Sequence, residues 1–117
     1  MARFTRLDVF HQARLLLRMV AAATRSMHAI GDLNSQLQRA AISVASNIAE
    51  GSERGSDREF RRFLLIANAS AAEIEAQIII AHDLACLDHD TATRIAEQCR
   101  YIGRMINRLV ARLEPTS

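Results

Sequence analysis

Three groups of side chains in this 117-residue chain have types and spacings that could do chemistry. His82, Cys86 and His89 are spaced like metal ligands, and two imidazoles with a thiolate would suit zinc. Only Asp90 is at hand as a fourth ligand, and the set straddles a helix end, so soft-residue packing and a solvated loop histidine compete with a metal site. No metal or cofactor is expected. Glu73 and Glu75 lie two positions apart, which on a helix turns their carboxylates about 200° from one another and makes a poor acid/base dyad. The chain has no glycine-rich phosphate loop and no Ser/His/Asp set at helical spacing. Nothing in it resembles an enzyme's machinery.

The second group is a ladder of arginines. Arg100, Arg104, Arg108 and Arg112 recur every four residues and share one slowly drifting helix face. Arg14, Arg18 and Arg25 share a face of an earlier segment. Guanidinium groups suit bidentate phosphate contacts, so Arg14, Arg18, Arg100, Arg104, Arg108 and Arg112 are candidate contacts to RNA or DNA, with salt-sensitive, sequence-tolerant binding. The competing reading is a solubilising face, partly neutralised by Glu97 and Glu114. Aromatic residues are not expected among these arginines, so a base-stacking platform is not. All fifteen basic residues are arginine, which codon usage explains equally well.

The third group is polar. Gln36, Arg39, Ser43, Asn47 and Glu50 fall within about 80° on one helix face, and Ser70, Glu73 and Gln77 form a matching set further on. This is either a solvated face or a half-buried network in which Arg39 pairs with Glu73 or Glu50. A buried network of that kind sets register more than it adds stability.

The elements that must position these groups are helices. Four segments show a period near 3.6, at about 8–28, 33–50, 57–85 and 89–113. Val9, Ala13, Leu16, Val20, Ala23 and Met27 make the first apolar stripe, with Thr5 and Asp8 resembling a capping box. Leu37, Ala41, Val44 and Ile48 make the second, and Gly51 fits a left-handed C-terminal stop. Ser56 to Glu59 reads as a capping box opening the third helix, with Phe60, Phe63, Ala67, Ile74, Ile78 and Ala81 inward and Leu64, Leu65 and Ile79 elsewhere on the circumference. Asp88 caps the fourth, whose stripe is Ile95, Cys99, Ile102, Ile106, Leu109 and Leu113. Short connections between similar helices predict an all-α, antiparallel up-down-up-down four-helix bundle as one domain over 1–117.

Composition agrees. Half the residues are hydrophobic, and there is one proline and only four glycines, too few turn-formers for many short elements. The net charge of +2 is uneven: residues 1–30 carry five Arg against one Asp, and 57–87 carry three Arg against five acids. No signal sequence and no stretch approaching a membrane span is expected, and two cysteines are expected to stay as free thiols in the cytoplasm. A chain this short leaves much surface exposed, so self-association is a ready way to bury more.

The run Ser35 to Gly51, SQLQRAAISVASNIAEG, closely resembles the signature of the four-helix bundle proteins encoded in 23S ribosomal-RNA intervening sequences. Ser56 to Leu64, Ala67 and Ser70 to Gln77 are similar to that family's third helix, and Leu7 to Ala13 to its first. Ala45 stands where proline is common, and Asn68-Ala69 where Arg-Gly is common, which removes a kink and one positive charge. The resemblance implies a non-enzymatic homopentamer, a ring of bundles with a central opening. It also implies a relationship to the accessory variability determinant of diversity-generating retroelements, which binds nucleic acid and partners a reverse transcriptase. Two roles follow as expectations: a nucleic-acid-associated accessory factor, or a structural or protein-interaction module without a nucleic-acid ligand.

Overall fold

The computed structural model describes residues 3–28 and 31–116. A 3-10 turn at Arg3–Arg6 leads into α1 (Asp8–Ser26), followed by α2 (Leu33–Ser52), α3 (Asp57–Asp83) and α4 (His89–Arg112). The described residues contain no strand. Each helix packs against its two sequence or ring neighbours and none crosses the diagonal, so the order around the bundle is α1, α2, α3, α4.

Pairs across the seams show the directions. Ser43 meets Ser70 and Gln36 meets Gln77, so α2 and α3 run antiparallel. Arg61 reaches Val110, Asn68 reaches Asn107, and Arg100 reaches Glu75, so α3 and α4 do too. The Thr24 hydroxyl and carbonyl accept from Gln38 and Asn34, which ties the end of α1 to the start of α2.

The helix ends depart from the sequence reading by one or two residues, and two departures have physical content. Leu7, not Thr5, occupies the N-cap of α1, and no side chain caps it. Gly51 is no left-handed stop: α2 continues through it to Ser52, and among the described residues the glycine at positive φ is Gly31. The expected caps at Ser56 and Asp88 form, accepting from the Glu59 and Thr91 amides at 3.2 and 3.0 Å. That bond, aided by the Arg94 charge, holds the Asp88 carboxyl below its ordinary range. Glu59 does not close the box on Ser56. It turns to Arg62 at 2.9 Å, a bond that lowers its own pKa.

The inward stripes are buried as the periodicity predicts, save that Leu109 and Leu113 at the end of α4 are half-buried. Leu64, expected off the core, is fully buried within it. Gly51 sits where α2 and α3 come closest: a Cβ built on it would lie 2.5 Å from the Phe63 Cβ. Phe63 is itself held between the guanidinium groups of Arg54 and Arg62, 5.0 and 4.6 Å from its ring centre.

One further expectation needs correction. By length and composition α3 is apolar enough to cross a membrane, although the sequence reading found no such stretch. Part of that apolarity is core. The rest faces outward, where Leu65, Ala69, Ala72, Ala76, Ile79 and Ile80 form a stripe opposite the buried side, with Leu65, Ile79 and Ile80 about half exposed at 49%, 53% and 49%.

Candidate functional site

The polar stripe of α2 meets its counterpart on α3 along one seam. Ser43 and Ser70 share a hydrogen bond of 2.9 Å between hydroxyls. Asn47 donates back one turn to the Ser43 carbonyl at 2.8 Å and to its hydroxyl at 3.0 Å. Gln77, only 8% exposed, donates to the side-chain oxygens of Gln36 at 3.3 Å and Glu73 at 3.1 Å. Its own side-chain oxygen is buried without a partner. A cleft of about 300 Å³ lined by Gln36, Arg39, Ser43, Ser70 and Glu73 opens beside it.

The half-buried network therefore exists, but its expected centre does not. Arg39 pairs with neither Glu73 nor Glu50. It donates to Ser35 at 2.8 Å and stands 4.0 Å from Asp32, with both charged side chains largely exposed. Glu50 pairs instead with Arg54, four residues on, at 2.6 Å. Local i, i+4 partners won over the seam because they need no ordering of a second helix.

The arginines are all on the surface, but they do not form one line. Each four-residue step turns about 40° around a helix. Arg100 accordingly leans to α3, where it pairs with Glu75 at 2.8 Å, while Arg108 and Arg112 are exposed. Arg104 lies 5.9 Å from the Tyr101 ring centre. Tyr101 is an aromatic within the ladder, which the sequence reading had not expected. Arg14 and Arg18 occupy the outer face of α1, with Arg14 donating to His11 Nδ1 at 3.1 Å. Arg94, outside the ladder, also contributes: it lines both grooves between α1 and α4.

Charge is thus sorted by helix. α1 and α4 carry eight arginines against three acids, whereas α2 and α3 carry four against six. Arg61, in α3, is drawn across to the carbonyl of Val110 at 3.3 Å, where it offsets the negative end of α4.

The candidate metal residues separate. His82 and His89 meet edge to face with ring centres 5.7 Å apart, but Cys86 turns its thiol to the His28 carbonyl at 3.2 Å. Among the described residues no group of three or more such side chains is placed to hold an ion. Cys86 and Cys99 are both free, and burial pushes the Cys99 thiol up to about 12.

The sequence profile of the 23S rRNA-intervening sequence proteins matches residues 5–108, a span that takes in the α2–α3 seam and most of α4. The chain belongs to that family. No curated protein matches it. A solved structure of a protein of unknown function from the S23 ribosomal protein family of Bacteroides thetaiotaomicron superposes with a TM-score of 0.82 at 16% identity. The match covers 87% of this chain and 97% of that one, which establishes the shared fold.

In this 23S rRNA-intervening sequence protein, Gln36 and Ser43 of the signature run join Gln77 and Ser70 across the seam, with Asn47 bonded back to Ser43, while Arg39 and Glu50 of the same run pair locally. Two features escaped sequence reasoning. Arg94 has no place in the four-residue ladder, and only the register of α4 against α1 brings it near Arg18. The outward stripe of α3 could have been read from its alternating four- and three-residue spacing.

Proposed function

We propose that this protein is a non-enzymatic module that assembles with copies of itself, and that the outward stripe of α3 brings the copies together. The carrying observation is that α3 is apolar on both sides. Its inner side fills the core, and the outer side from Leu65 to Ile80 bears only alanine, leucine and isoleucine, with Glu73 and Glu75 set to its flanks. A helix apolar all round is normally buried all round, and an exposed apolar stripe of this length marks a contact surface. The family resemblance favours a closed ring of five copies. The two free thiols support a cytoplasmic location within this reading.

The test is the joint substitution Ala76→Glu and Ile79→Glu. Both positions are exposed, so helicity should not change. Sedimentation should shift from an oligomer to a single copy. A parent protein that sediments as a single copy, or a variant that keeps the oligomer's mass, would contradict the proposal.

The sorting of charge favours a second role on the same module, contact with RNA or DNA phosphates through α1 and α4. A reverse transcriptase as protein partner rests on the retroelement likeness alone. Binding should fall steeply with salt, and Arg104→Glu with Arg108→Glu should weaken it by about tenfold or more, as expected when each reversal replaces a phosphate contact by repulsion. Unchanged binding at low salt would leave the arginines as a solubilising face.

A further inference from the structure

Self-assembly through α3 does not use the groove between the second half of α1 and the first turns of α4, and phosphate contact would use only its Arg18 and Arg94. The groove holds about 380 Å³, within the range that takes a small molecule. Its walls are mainly apolar, built from Met19 and Ala22 on α1, Leu87 before α4, and Ile95 on α4, with Ser26 and Thr91 also lining it. Alanine at position 22 keeps the space open, because a larger side chain there would project into it. Two cations stand over it from opposite helices, Arg18 from α1 and Arg94 from α4. Both are exposed, and among the described residues neither makes a hydrogen bond or an ion pair.

One acid lines the groove, Asp88. Its carboxylate caps α4, accepting from the Thr91 amide at 3.0 Å, and keeps its charge within reach of Arg94, so the lining carries two cations against one anion. The other cavities differ. The α2–α3 cleft is polar and contains Glu73. The neighbouring α1–α4 groove, lined by Tyr101, has Arg100 already paired with Glu75.

We propose that this groove binds a small anionic amphiphile, a carboxylate whose apolar tail lies along Met19, Ala22, Leu87 and Ile95 while Arg18 and Arg94 hold its head. Charge complementarity and an apolar floor together select this ligand. A nucleic-acid backbone would satisfy the arginines and leave the floor unused, and a neutral apolar ligand would leave Arg18 without a partner and Arg94 with only the Asp88 charge beside it. A guanidinium–carboxylate pair beside an apolar wall is partly shielded from water and is stronger than one in the open.

Decanoate is a suitable probe, titrated calorimetrically into the full-length protein below its micellar range. Saturable binding is expected, with decanamide about tenfold weaker because the charge-assisted bonds are lost. Arg18→Gln with Arg94→Gln should weaken decanoate binding by about the same factor. Ala22→Phe should abolish it at unchanged thermal midpoint, since position 22 is exposed and the substitution fills the groove. Absence of saturable binding to the parent protein overturns the proposal. So does decanamide binding as tightly as decanoate, or unchanged affinity in the arginine variant. Affinity lost only on Ala76→Glu with Ile79→Glu would put the amphiphile on α3 and also overturn it.

Discussion

Replacing Gly51 by alanine is expected to destabilise the bundle by about 2 kcal/mol, although alanine is the better helix former by about 1 kcal/mol. The sign is decided by space. Gly51 lies inside α2 at ordinary helical φ, so a methyl group there meets no backbone strain. It would, however, stand 2.5 Å from the Phe63 Cβ, 3.2 Å from Phe60 Cδ1 and 3.3 Å from Phe63 Cγ. A Cβ is fixed to its backbone and cannot swing aside, so α2 and α3 would have to separate at this corner. Arg54 and Arg62 flank the Phe63 ring and would lose their stacking as it moved.

Gly103 supplies the internal control. Its added Cβ would meet only the far end of the Asn68 side chain, at 3.2 Å, and that amide can rotate away from its long bond to Asn107. Gly103→Ala is therefore expected to be neutral or to stabilise by about 0.5 kcal/mol. Urea unfolding of both variants beside the parent, at one protein concentration, reads the difference. A Gly51→Ala protein as stable as the parent would show that the helices are not held at this distance by the glycine.

The second large effect is in thiol reactivity. At pH 8 Cys99 is expected to react with iodoacetamide about a thousandfold more slowly than an ordinary thiol, while Cys86 is labelled readily. Cys99 is 3% exposed in the centre of α4, and burial, with Glu75 adding, pushes its thiol from the ordinary 9.0 up to about 12. Three units fewer of ionisation at a given pH is about a thousandfold less thiolate. Cys86 is half-exposed in the α3–α4 connection. The same displacement links stability to pH. Below about 9 the thiol is neutral in both the folded and unfolded chain and exerts no effect. Between 9 and 12 the unfolded chain releases a proton that the folded one retains, so stability falls as pH rises, by up to about 4 kcal/mol at the top of that window. Peptide mapping after timed alkylation checks the first statement; equal labelling of the two cysteines in the native protein would contradict it.

The four helices and most of the core could be read from apolar spacing alone, because each stripe has one dominant direction. Leu64 was misplaced for the opposite reason: α3 is apolar on two sides, and periodicity cannot say which side meets the other helices. Gly51 was misread because its position after Glu50 is also where a helix-ending glycine would stand, and the cause of its presence is Phe63, twelve residues later across a turn. The seam partners Ser43–Ser70 and Gln36–Gln77 match the two sets paired in advance. The Arg39 pairing failed, since residues one turn away compete for a long, exposed side chain, and sequence offers no measure of that competition. Arg94 escaped because it becomes notable only when α1 is laid beside α4.

The order of helices around the bundle has a consequence for motion. Three of its four seams join helices consecutive in sequence, each linked by a few residues. The fourth joins α1 to α4 across the length of the chain, and it is the sparsest of the contacts between helices. Gln98 bonds to the carbonyl and side chain of Gln12 there, both at 3.0 Å. Closing this seam carries the largest loop-closure entropy in the fold, and a seam held by few contacts is where a native bundle opens at least cost. α1 is in this sense the bundle's hinged stave. Whatever occupies the groove between Arg18 and Arg94 would act as a clasp across it, slowing amide exchange in α1 more than anywhere else in the molecule.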